Sequence, residues 1–214
     1  MDSNNINSNM KDMTVEALAR ETASASPAPG GGSISAMAGA FSAALAGMVA
    51  KLSLEKKGYE HLQEDMRRLD AEAEALRLDL LEDIQKDSSS FDAYMQALKL
   101  PKQTEAQQAS RSQAMQDALK GACEVPLKVA GKALRALELS AYAVREGNIN
   151  AASDAMSGVL LGRAAVLGAL ANVRINLGGI RDEAYKQKMR QQCDRLEQAA
   201  NRVEAESDKA LHAR

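Results

Sequence analysis

Apolar residues recur at helical spacing along a long charged stretch of the chain, from about Tyr59 to Leu98. Because they lie three or four residues apart, they share one face of an α-helix. The members of this stripe are Leu62, Met66, Leu69, Ala73, Leu76, Leu80 and Ile84. The stripe therefore predicts one long helix, which is typical of a helical bundle.

The rest of the chain also has helical patterns, and no segment competes as a strand. A short helix begins after Thr14, a helix of small residues ends near Leu54, and later helices cover Thr104 to Glu146, Asn150 or Ser153 to Leu177, and Asp182 to about Leu211. Pro126 lies within one of these and is expected to kink or break it, while Gly147 is expected to end it. We predict an all-α, up-and-down bundle of long helices in a single domain, residues 13–214, after a disordered tail at residues 1–12.

Composition excludes several classes of protein. With 214 residues and 45% hydrophobic content, the chain can bury a substantial core without disulfides or metal. The formal net charge of −2 gives no basic field, which argues against nucleic acid as the main partner. Cys123 and Cys193 have no matching histidines for a zinc site, so we expect reduced thiols in a cytoplasmic protein. The first residues lack the basic region and the apolar core of a signal peptide.

An uncharged segment, residues 30–50, approaches the length that a bilayer requires. Its Gly39, Ala43 and Gly47 recur every four residues, a spacing that suits close packing between helices. The segment is rich in Ser and Ala, poor in Leu and Ile, and preceded by a polar loop. We therefore interpret it as a central helix that is buried on most sides of the bundle, and we predict no membrane partner.

A proline- and glycine-rich stretch, Ser26-Pro27-Ala28-Pro29-Gly30-Gly31-Gly32-Ser33, comes directly before this helix. Two prolines and three glycines predict a rigid loop with bare backbone, and Ser33 is a candidate N-cap. Backbone N–H groups of such a loop, together with a helix N-terminus, can bind anions and polar oxygens. The alternative is a loop and a tightly packed helix without a ligand.

Two further groups of polar residues stand out among the apolar helices. Asn148, Asn150, Ser153 and Asp154 gather at one helix start, where a turn with capping residues is the simpler interpretation. Asn172 and Asn176 lie four residues apart and so share one face of the following helix. Apolar neighbours predict that both amides are buried and need partners, either on other helices or on a heterocyclic ligand.

Three blocks occur in order: Pro27 to Ser33 with its small-residue helix, Gly147 to Asp154, and Asn172-Val173-Arg174-Ile175-Asn176-Leu177. Between them lie Lys56-Lys57-Gly58-Tyr59, the stretch Asp87 to Asp92 ending in Ser90-Phe91-Asp92, Leu100-Pro101-Lys102 and Val125-Pro126-Leu127. From about Val15 to Leu211, this ordered set resembles the cyclodeaminase/cyclohydrolase family of folate enzymes. One departure is Lys51-Leu52-Ser53, where the family pattern has an asparagine before Leu-Thr, and it adds a cation near the site.

The resemblance implies an all-helical enzyme that forms homodimers and acts on a tetrahydrofolate derivative. The family comprises formiminotetrahydrofolate cyclodeaminases, which form the 5,10-methenyl bridge and release ammonia, and methenyltetrahydrofolate cyclohydrolases, which open that bridge to the 10-formyl form. Both reactions pass through a tetrahedral carbon between N5 and N10. The implied chemistry uses no metal and no redox cofactor.

Each reaction needs a proton shuttle and stabilisation of a changing charge. Under this resemblance Asp154 is the first candidate for the shuttle, Asp92 is the second, and Lys56 is a further catalytic candidate. Lys56 and Lys57 are also suited to the glutamate tail of folate, with a solvated charge pair as the alternative. The predicted substrate contacts are the backbone of Gly30, Gly31 and Gly32, together with Ser33, Asn148, Asn150, Ser153, Asn172 and Asn176.

The choice between the two reactions stays open at the level of sequence, and we take cyclodeaminase first on the breadth of the family alone. A non-catalytic helical folate-binding or interaction module is an alternative of another class, although it does not explain the four asparagines and the glycine-rich loop. A separate formiminotransferase is a possible partner. We also expect that a substrate site at a dimer interface draws the glycine-rich loop from one subunit and polar residues from the other.

Overall fold

The computed structural model describes residues 9–214, apart from the side chain of Phe91. Its six α-helices are Val15–Thr22 (α1), Gly31–Ser53 (α2), Gln63–Leu98 (α3), Glu105–Glu146 (α4), Ala152–Leu177 (α5) and Glu183–His212 (α6). Successive long helices pack on one another, and α2 also packs on α4 and α5. The predicted all-α bundle in a single domain is confirmed.

The predicted N-terminal tail is only partly within the described residues. Residues 1–8 lie outside them. Met10–Asp12 form a short 3-10 helix against α3, where the Met10 N–H donates to Gln85 Oε1 at 3.4 Å and Lys11 pairs with Glu82. The last residues of the predicted tail are therefore in contact with the bundle.

Two threonines begin helices as the sequence predicts. Thr14 Oγ1 accepts the N–H of Ala17 at 3.1 Å at the start of α1. Thr104 accepts the N–H of Gln107 at 3.2 Å, and the Gln107 side chain accepts the Thr104 N–H in return. Such reciprocal bonds satisfy N–H groups that have no acceptor within the first turn of a helix.

The turn between α4 and α5 differs in detail from the prediction. Gly147 ends α4 in an extended conformation with φ −71°, so this residue does not use left-handed backbone. A Cβ there would lie 2.7 Å from Val49 Cγ1, which explains the glycine by close packing against α2. Asn148 caps a short 3-10 turn, Ile149–Ala151, and its Oδ1 accepts the Asn150 N–H at 3.0 Å. α5 follows from Ala152 without a side-chain cap, so neither Asn150 nor Ser153 begins it.

Of the predicted kink or break at Pro126, the break does not occur, because α4 continues through this residue. Proline has no N–H and leaves the carbonyl four residues earlier, that of Ala122, without its helical donor. The Asn176 side chain of α5 takes the place of that donor, with 2.8 Å between its Nδ2 and Ala122 O. A neighbouring helix thus satisfies a carbonyl that would otherwise be left unpaired in the interior.

Small residues let α2, α4 and α5 approach closely at the centre of the bundle. A Cβ at Gly162 would lie 2.8 Å from both Ser42 Oγ and Leu137 Cβ. A Cβ at Gly158 would lie 2.6 Å from Ser140 Oγ. Larger side chains at these glycines would force the helices apart.

Two helical segments, Gly31–Ser53 and Ile149–Leu177, are long and apolar enough to cross a membrane, but 61% and 44% of their apolar windows are buried inside the bundle. The first of these is the buried central helix that the sequence predicts. The outer sides of α2 and α5 nevertheless expose large apolar side chains. These are Phe41, Met48 and Leu52 on α2 and Leu160 and Ile175 on α5, and we call them the apolar face.

Candidate active site

A cavity of about 370 Å³ opens where α2 begins and α5 ends. Residues of α3 and α4 complete its wall. The lining consists of Pro27, Ala28, Gly30, Gly31, Gly32, Asp87, Ser88, Ser90, Tyr94, Leu119, Ala122, Asn172, Ile175, Asn176 and Gly179. The volume is within the usual range for small-molecule sites. The fold thus brings the glycine-rich loop and the two asparagines of α5 to one place.

The glycine-rich stretch presents backbone donors to this cavity, but Gly31 and Gly32 form the first turn of α2, so the prediction that all three glycines lie in a loop is wrong. Gly30 is the N-cap of α2 and has no side-chain capping bond. The first backbone bond of the helix joins the Ile34 N–H to Gly30 O at 3.1 Å, so the N–H groups of residues 31–33 have no acceptor within the helix. Donors at a helix N-terminus favour an anionic or carbonyl oxygen.

Ser33 is not the N-cap, so that prediction is wrong. It lies buried within the first turn of α2, facing α3. Its hydroxyl is 3.0 Å from Ile84 O and 3.2 Å from Asp87 Oδ2. Ser33 is therefore a positioning residue, because its hydroxyl orients the Asp87 carboxyl group.

Asp87 is the carboxyl group of the cavity, and the sequence analysis did not select it. Burial raises the pKa of Asp87, while the hydroxyl and backbone N–H of Ser33 act in the opposite direction. One helical turn earlier, Asp83 is more deeply buried but pairs with Lys86 and Lys132, each at 2.7 Å. Among the described residues, Asp87 has no such ammonium partner. It is thus a carboxyl group whose proton is held more tightly than usual and which faces a cavity.

Gly32 and Asp87 are in close contact. A Cβ at Gly32 would overlap the Asp87 carboxyl group, with its carbon and both oxygens nearby. Gly32 is itself buried within α2. Only glycine leaves room for the carboxyl group at this position, which gives a packing reason for one glycine of the loop.

The two asparagines of α5 are held by bonds from their amide nitrogens. Asn172 Nδ2 donates to Gly168 O at 2.9 Å, and Asn176 Nδ2 donates to Ala122 O at 2.8 Å. These bonds leave each Oδ1 available as an acceptor, and both residues line the cavity. Pro126 contributes indirectly, because it leaves Ala122 O for Asn176. The prediction that both amides are buried is wrong, because each is half-buried beside the cavity; Asn176 has its partner on another helix, whereas Asn172 bonds within α5.

A second polar cluster lies at the opposite end of the bundle. Asn148 joins α2 to the start of α5: its N–H donates to Ser53 Oγ at 2.8 Å, its Nδ2 donates to Leu52 O at 2.9 Å, and its Oδ1 accepts from Lys56. Lys56 also lies 5.5 Å from the centre of the Tyr59 ring. These contacts give Asn148 and Lys56 a structural role in this turn.

The predicted site residues thus divide into two groups within one protomer. Asn150, Ser153, Asp154 and Lys57 belong to the second cluster and line no part of the cavity. The 23-residue α2 separates the groups by about 34 Å. Asp92 is exposed on α3 and is also absent from the lining. The sequence analysis missed Asp87, Ser88, Ser90 and Tyr94 as lining residues.

Comparison with known proteins tests the family resemblance. Residues 14–195 match the family model described as formiminotransferase-cyclodeaminase. The chain belongs to this family. It is 36% identical to a methenyltetrahydrofolate cyclohydrolase of Methylorubrum extorquens, over 82% of this chain and 84% of that protein. It is 34% identical to the formimidoyltransferase-cyclodeaminase of Rattus norvegicus, over 88% of this chain but only 35% of the rat protein.

A solved structure of the formiminotransferase-cyclodeaminase family agrees with the fold. The formiminotetrahydrofolate cyclodeaminase of Thermotoga maritima matches with a TM-score of 0.85 and 30% identity, covering 95% of this chain and 98% of that one. The resemblance inferred from the three sequence blocks is confirmed. The relatives are named for two different reactions, so membership of the family does not choose between them.

Proposed function

We propose that the protein is a formiminotetrahydrofolate cyclodeaminase, which converts 5-formiminotetrahydrofolate to 5,10-methenyltetrahydrofolate and ammonia. The observation that carries this proposal is the Asp87 carboxyl group, partly buried, with a raised pKa, in a cavity that also offers backbone donors and amide acceptors. The names of the rat and Thermotoga maritima relatives support the same reaction.

In the proposed mechanism, Asp87 moves one proton between two nitrogens. N10 of the substrate attacks the protonated formimino carbon and forms a tetrahedral carbon bonded to N5, N10 and an amino group. The Asp87 carboxylate accepts the proton of N10 and passes it to the amino group. The carbon–nitrogen bond to that group breaks, ammonia leaves, and the positive charge remains on the methenyl bridge. A carboxylate beside this bridge also stabilises its charge.

Binding of the pterin would use the groups that the protein leaves unpaired in the cavity. The Oδ1 atoms of Asn172 and Asn176 can accept bonds from pterin N–H groups, because their amide nitrogens are already bonded to Gly168 O and Ala122 O. The N–H groups of Gly31 and Gly32 can donate to an oxygen of the substrate. The substrate would thereby be held with its reacting nitrogens beside Asp87.

Methenyltetrahydrofolate cyclohydrolase is the second candidate activity. It is favoured by the Methylorubrum extorquens relative, which this chain matches over most of both lengths. In that reaction the Asp87 carboxylate would take a proton from the water that attacks the methenyl carbon and return it to N5 as the bridge opens. The second proton of the water leaves to solvent as the hydroxyl on the bridging carbon becomes the formyl carbonyl. The same cavity therefore suits both reactions at the bridging carbon, closure of the bridge with loss of ammonia and opening of the bridge by water.

A spectrophotometric assay tests the proposal, because the methenyl bridge gives a near-ultraviolet band. With 5-formiminotetrahydrofolate, we expect the protein to accelerate appearance of this band together with stoichiometric release of ammonia. Faster loss of the band from 5,10-methenyltetrahydrofolate, without formation from the formimino compound, would assign the cyclohydrolase instead. Acceleration of neither reaction would contradict the proposal and favour the non-catalytic binding module.

We further propose that the protein acts as a homodimer through the apolar face. Five large apolar side chains on two adjacent helices are otherwise exposed to water. A twofold axis perpendicular to α2 and α5 would pack these faces antiparallel. The cavity of one subunit would then approach the cluster of Lys56, Asn148 and Asp154 of the other. This arrangement would reunite the residues that lie about 34 Å apart within one protomer.

Complementation between two variants tests the shared site. We expect Asp87→Asn and Asp154→Asn each to lose most of their turnover, because they disable different halves of the site. Co-expression should restore about one quarter of wild-type turnover, since about half of the dimers are mixed and each mixed dimer has one intact site of two. Full turnover by Asp154→Asn, or no recovery on co-expression, would contradict the shared site.

The remaining parts of the proposal concern the source of the substrate, the need for a cofactor and the cellular compartment. The chain spans about a third of the animal formimidoyltransferase-cyclodeaminases that it matches. We propose that a separate formiminotransferase supplies the formimino compound, that the reaction needs no metal or redox cofactor, and that it takes place in the cytoplasm. If the reaction needs no metal, we expect turnover to survive treatment with a strong chelator.

A further inference from the structure

A second cavity, of about 360 Å³, lies beside the candidate active site. It is bounded by the turn between α3 and α4, the first turns of α4, and the turn between α5 and α6. Its lining residues are Lys102, Gln108, Arg111, Ser112, Met115, Gln116 and Arg181. Three of these residues carry a positive charge and none carries a negative charge.

The cations of this cavity do not pair with carboxylates. Arg111 donates to Leu98 O at 3.2 and 3.0 Å, and Arg181 Nη1 donates to Ser112 Oγ at 2.9 Å. Within the described part of the chain, no carboxylate oxygen lies within 4.0 Å of the charged nitrogens of Lys102, Arg111 or Arg181.

The two carboxylates that follow Arg181 in sequence are already engaged. Asp182 pairs with Lys120 at 2.9 Å, and Glu183 pairs with Lys186 at 2.7 Å. Glu105 and Asp117 on α4 are also near in sequence, but no ion pair within the described residues neutralises Lys102, Arg111 or Arg181. Such an arrangement favours an anionic ligand, and arginine is especially suited to a carboxylate.

One wall separates the two cavities. Gln116 joins its two sides, because its Nε2 donates to Gly179 O at 3.0 Å and its Oε1 accepts the Arg181 N–H at 2.9 Å. Gly179 and Leu119 line the candidate active site, whereas Met115 lines the second cavity. Met115 and Leu119 are one helical turn apart on α4, so the cavities are about 6 Å apart along that helix.

We propose that the second cavity binds the glutamate carboxylates of the folate substrate while its pterin lies beside Asp87. This inference rests on the proposed folate function and names the tail subsite of the same site. It reassigns the tail from Lys56 and Lys57, which lie in the second polar cluster, to Lys102, Arg111 and Arg181. N5 is a ring nitrogen of the pterin and N10 links that ring to the tail, so both reacting nitrogens lie on the side of the pterin that carries the tail.

A binding cycle between ligand and protein tests the subsite. The probes are 5-formyltetrahydrofolate and 5-formyltetrahydropteroate, which differ only by the glutamate, with dissociation constants measured by titration calorimetry. We expect the wild type to bind the glutamate compound at least about tenfold more tightly, the equivalent of about 1.4 kcal/mol. In the double variant Lys102→Gln/Arg181→Gln, this preference should fall to about twofold or less, with unchanged affinity for the pteroate. Arg111 is left intact because it bonds to the end of α3.

A matched control removes two exposed cations from α6, as Arg202→Gln/Lys209→Gln. This variant should keep the full preference for the glutamate compound. A wild type with no preference, a double variant that retains it, or binding of neither probe would overturn the subsite. Because binding is measured apart from turnover, a preference that depends on Lys102 and Arg181 in a protein without turnover would reject the proposed reaction and retain the tail site. Turnover without such a preference would retain the proposed reaction and reject the tail site.

Discussion

Replacement of Asp87 by asparagine is expected to lower kcat by about 10²- to 10⁴-fold, the usual contribution of a positioned acid or base. Asparagine keeps the shape of the side chain and a bond with Ser33, but it cannot exchange a proton. Binding of 5-formyltetrahydrofolate should therefore change by only a few fold. The measurement is kcat by the methenyl absorbance, with the dissociation constant determined in parallel.

The exposed Asp92 gives the control for this change, because it lies on the same helix and outside the cavity. Asp92→Asn should retain a kcat close to that of the wild type. If Asp92→Asn lost turnover and Asp87→Asn kept it, the shuttle would be assigned to the wrong carboxyl group.

The stability of the Asp87→Asn variant should also depend on pH. Burial raises the pKa of Asp87 above the ordinary aspartate value of 3.8, so the folded protein disfavours the ionised form. The wild type therefore loses stability relative to the variant as the pH rises from below 3.8 to above the raised pKa, and the difference is then constant. Urea unfolding across this pH range measures the effect. A wild type that gains stability relative to the variant as the pH rises would contradict it.

Substitution of Gly32 by alanine is expected to lower kcat by about 100-fold, the scale associated with misplacement of a reacting group by about 1 Å. The new methyl group would occupy the space of the Asp87 carboxyl group and push it away from Ser33. Alanine favours the helix, so circular dichroism should show an unchanged helical content. Steady-state turnover, compared at equal helical content, measures the effect.

Gly131→Ala is the matched control, since Gly131 also lies within a helix but a Cβ there would meet nothing within 4 Å. It should leave turnover unchanged and increase the free energy of unfolding by up to about 1 kcal/mol. Equal turnover in Gly32→Ala and the wild type would show that the close contact with Asp87 has no catalytic consequence.

The helical fold follows largely from local patterns in the sequence. The stripe from Leu62 to Ile84 predicts α3, and Thr14 and Thr104 identify the starts of α1 and α4. Pro126 shows the limit of local rules, because the donor that replaces its missing N–H is Asn176, far along the chain on α5. A partner supplied by another helix cannot be inferred from the residues next to the proline.

The sequence analysis predicted part of the candidate site but not Asp87, although the sequence contains a pattern that indicates it. The glycine-rich loop, Asn172 and Asn176 were selected and do meet in the cavity. Asp87 follows Ile84 by three residues, so it continues the apolar stripe of α3 where an apolar residue is expected. A carboxyl group on a buried stripe is a candidate functional residue, whereas Asp92 lies five residues further on and points away from that face.

The sequence analysis expected a site shared between two subunits, but it did not predict which polar residues lie far from the glycine-rich stretch within one subunit. Asn148 precedes α5 and Asp154 lies in its first turn, while Asn172 and Asn176 lie near its end, so one helix holds both groups apart. Their place in a family motif does not state whether they meet within one subunit. Helix length decides this point, since each residue adds about 1.5 Å.

The central claim, that the substrate reacts beside Asp87, is tested most directly by a crystal structure with bound 5-formyltetrahydrofolate. We predict the pterin within hydrogen-bond distance of the side-chain oxygens of Asn172 and Asn176, with the N5 substituent beside the Asp87 carboxyl group. A pterin bound only against Asn148 and Asp154, with the Asp87 cavity empty, would contradict the account.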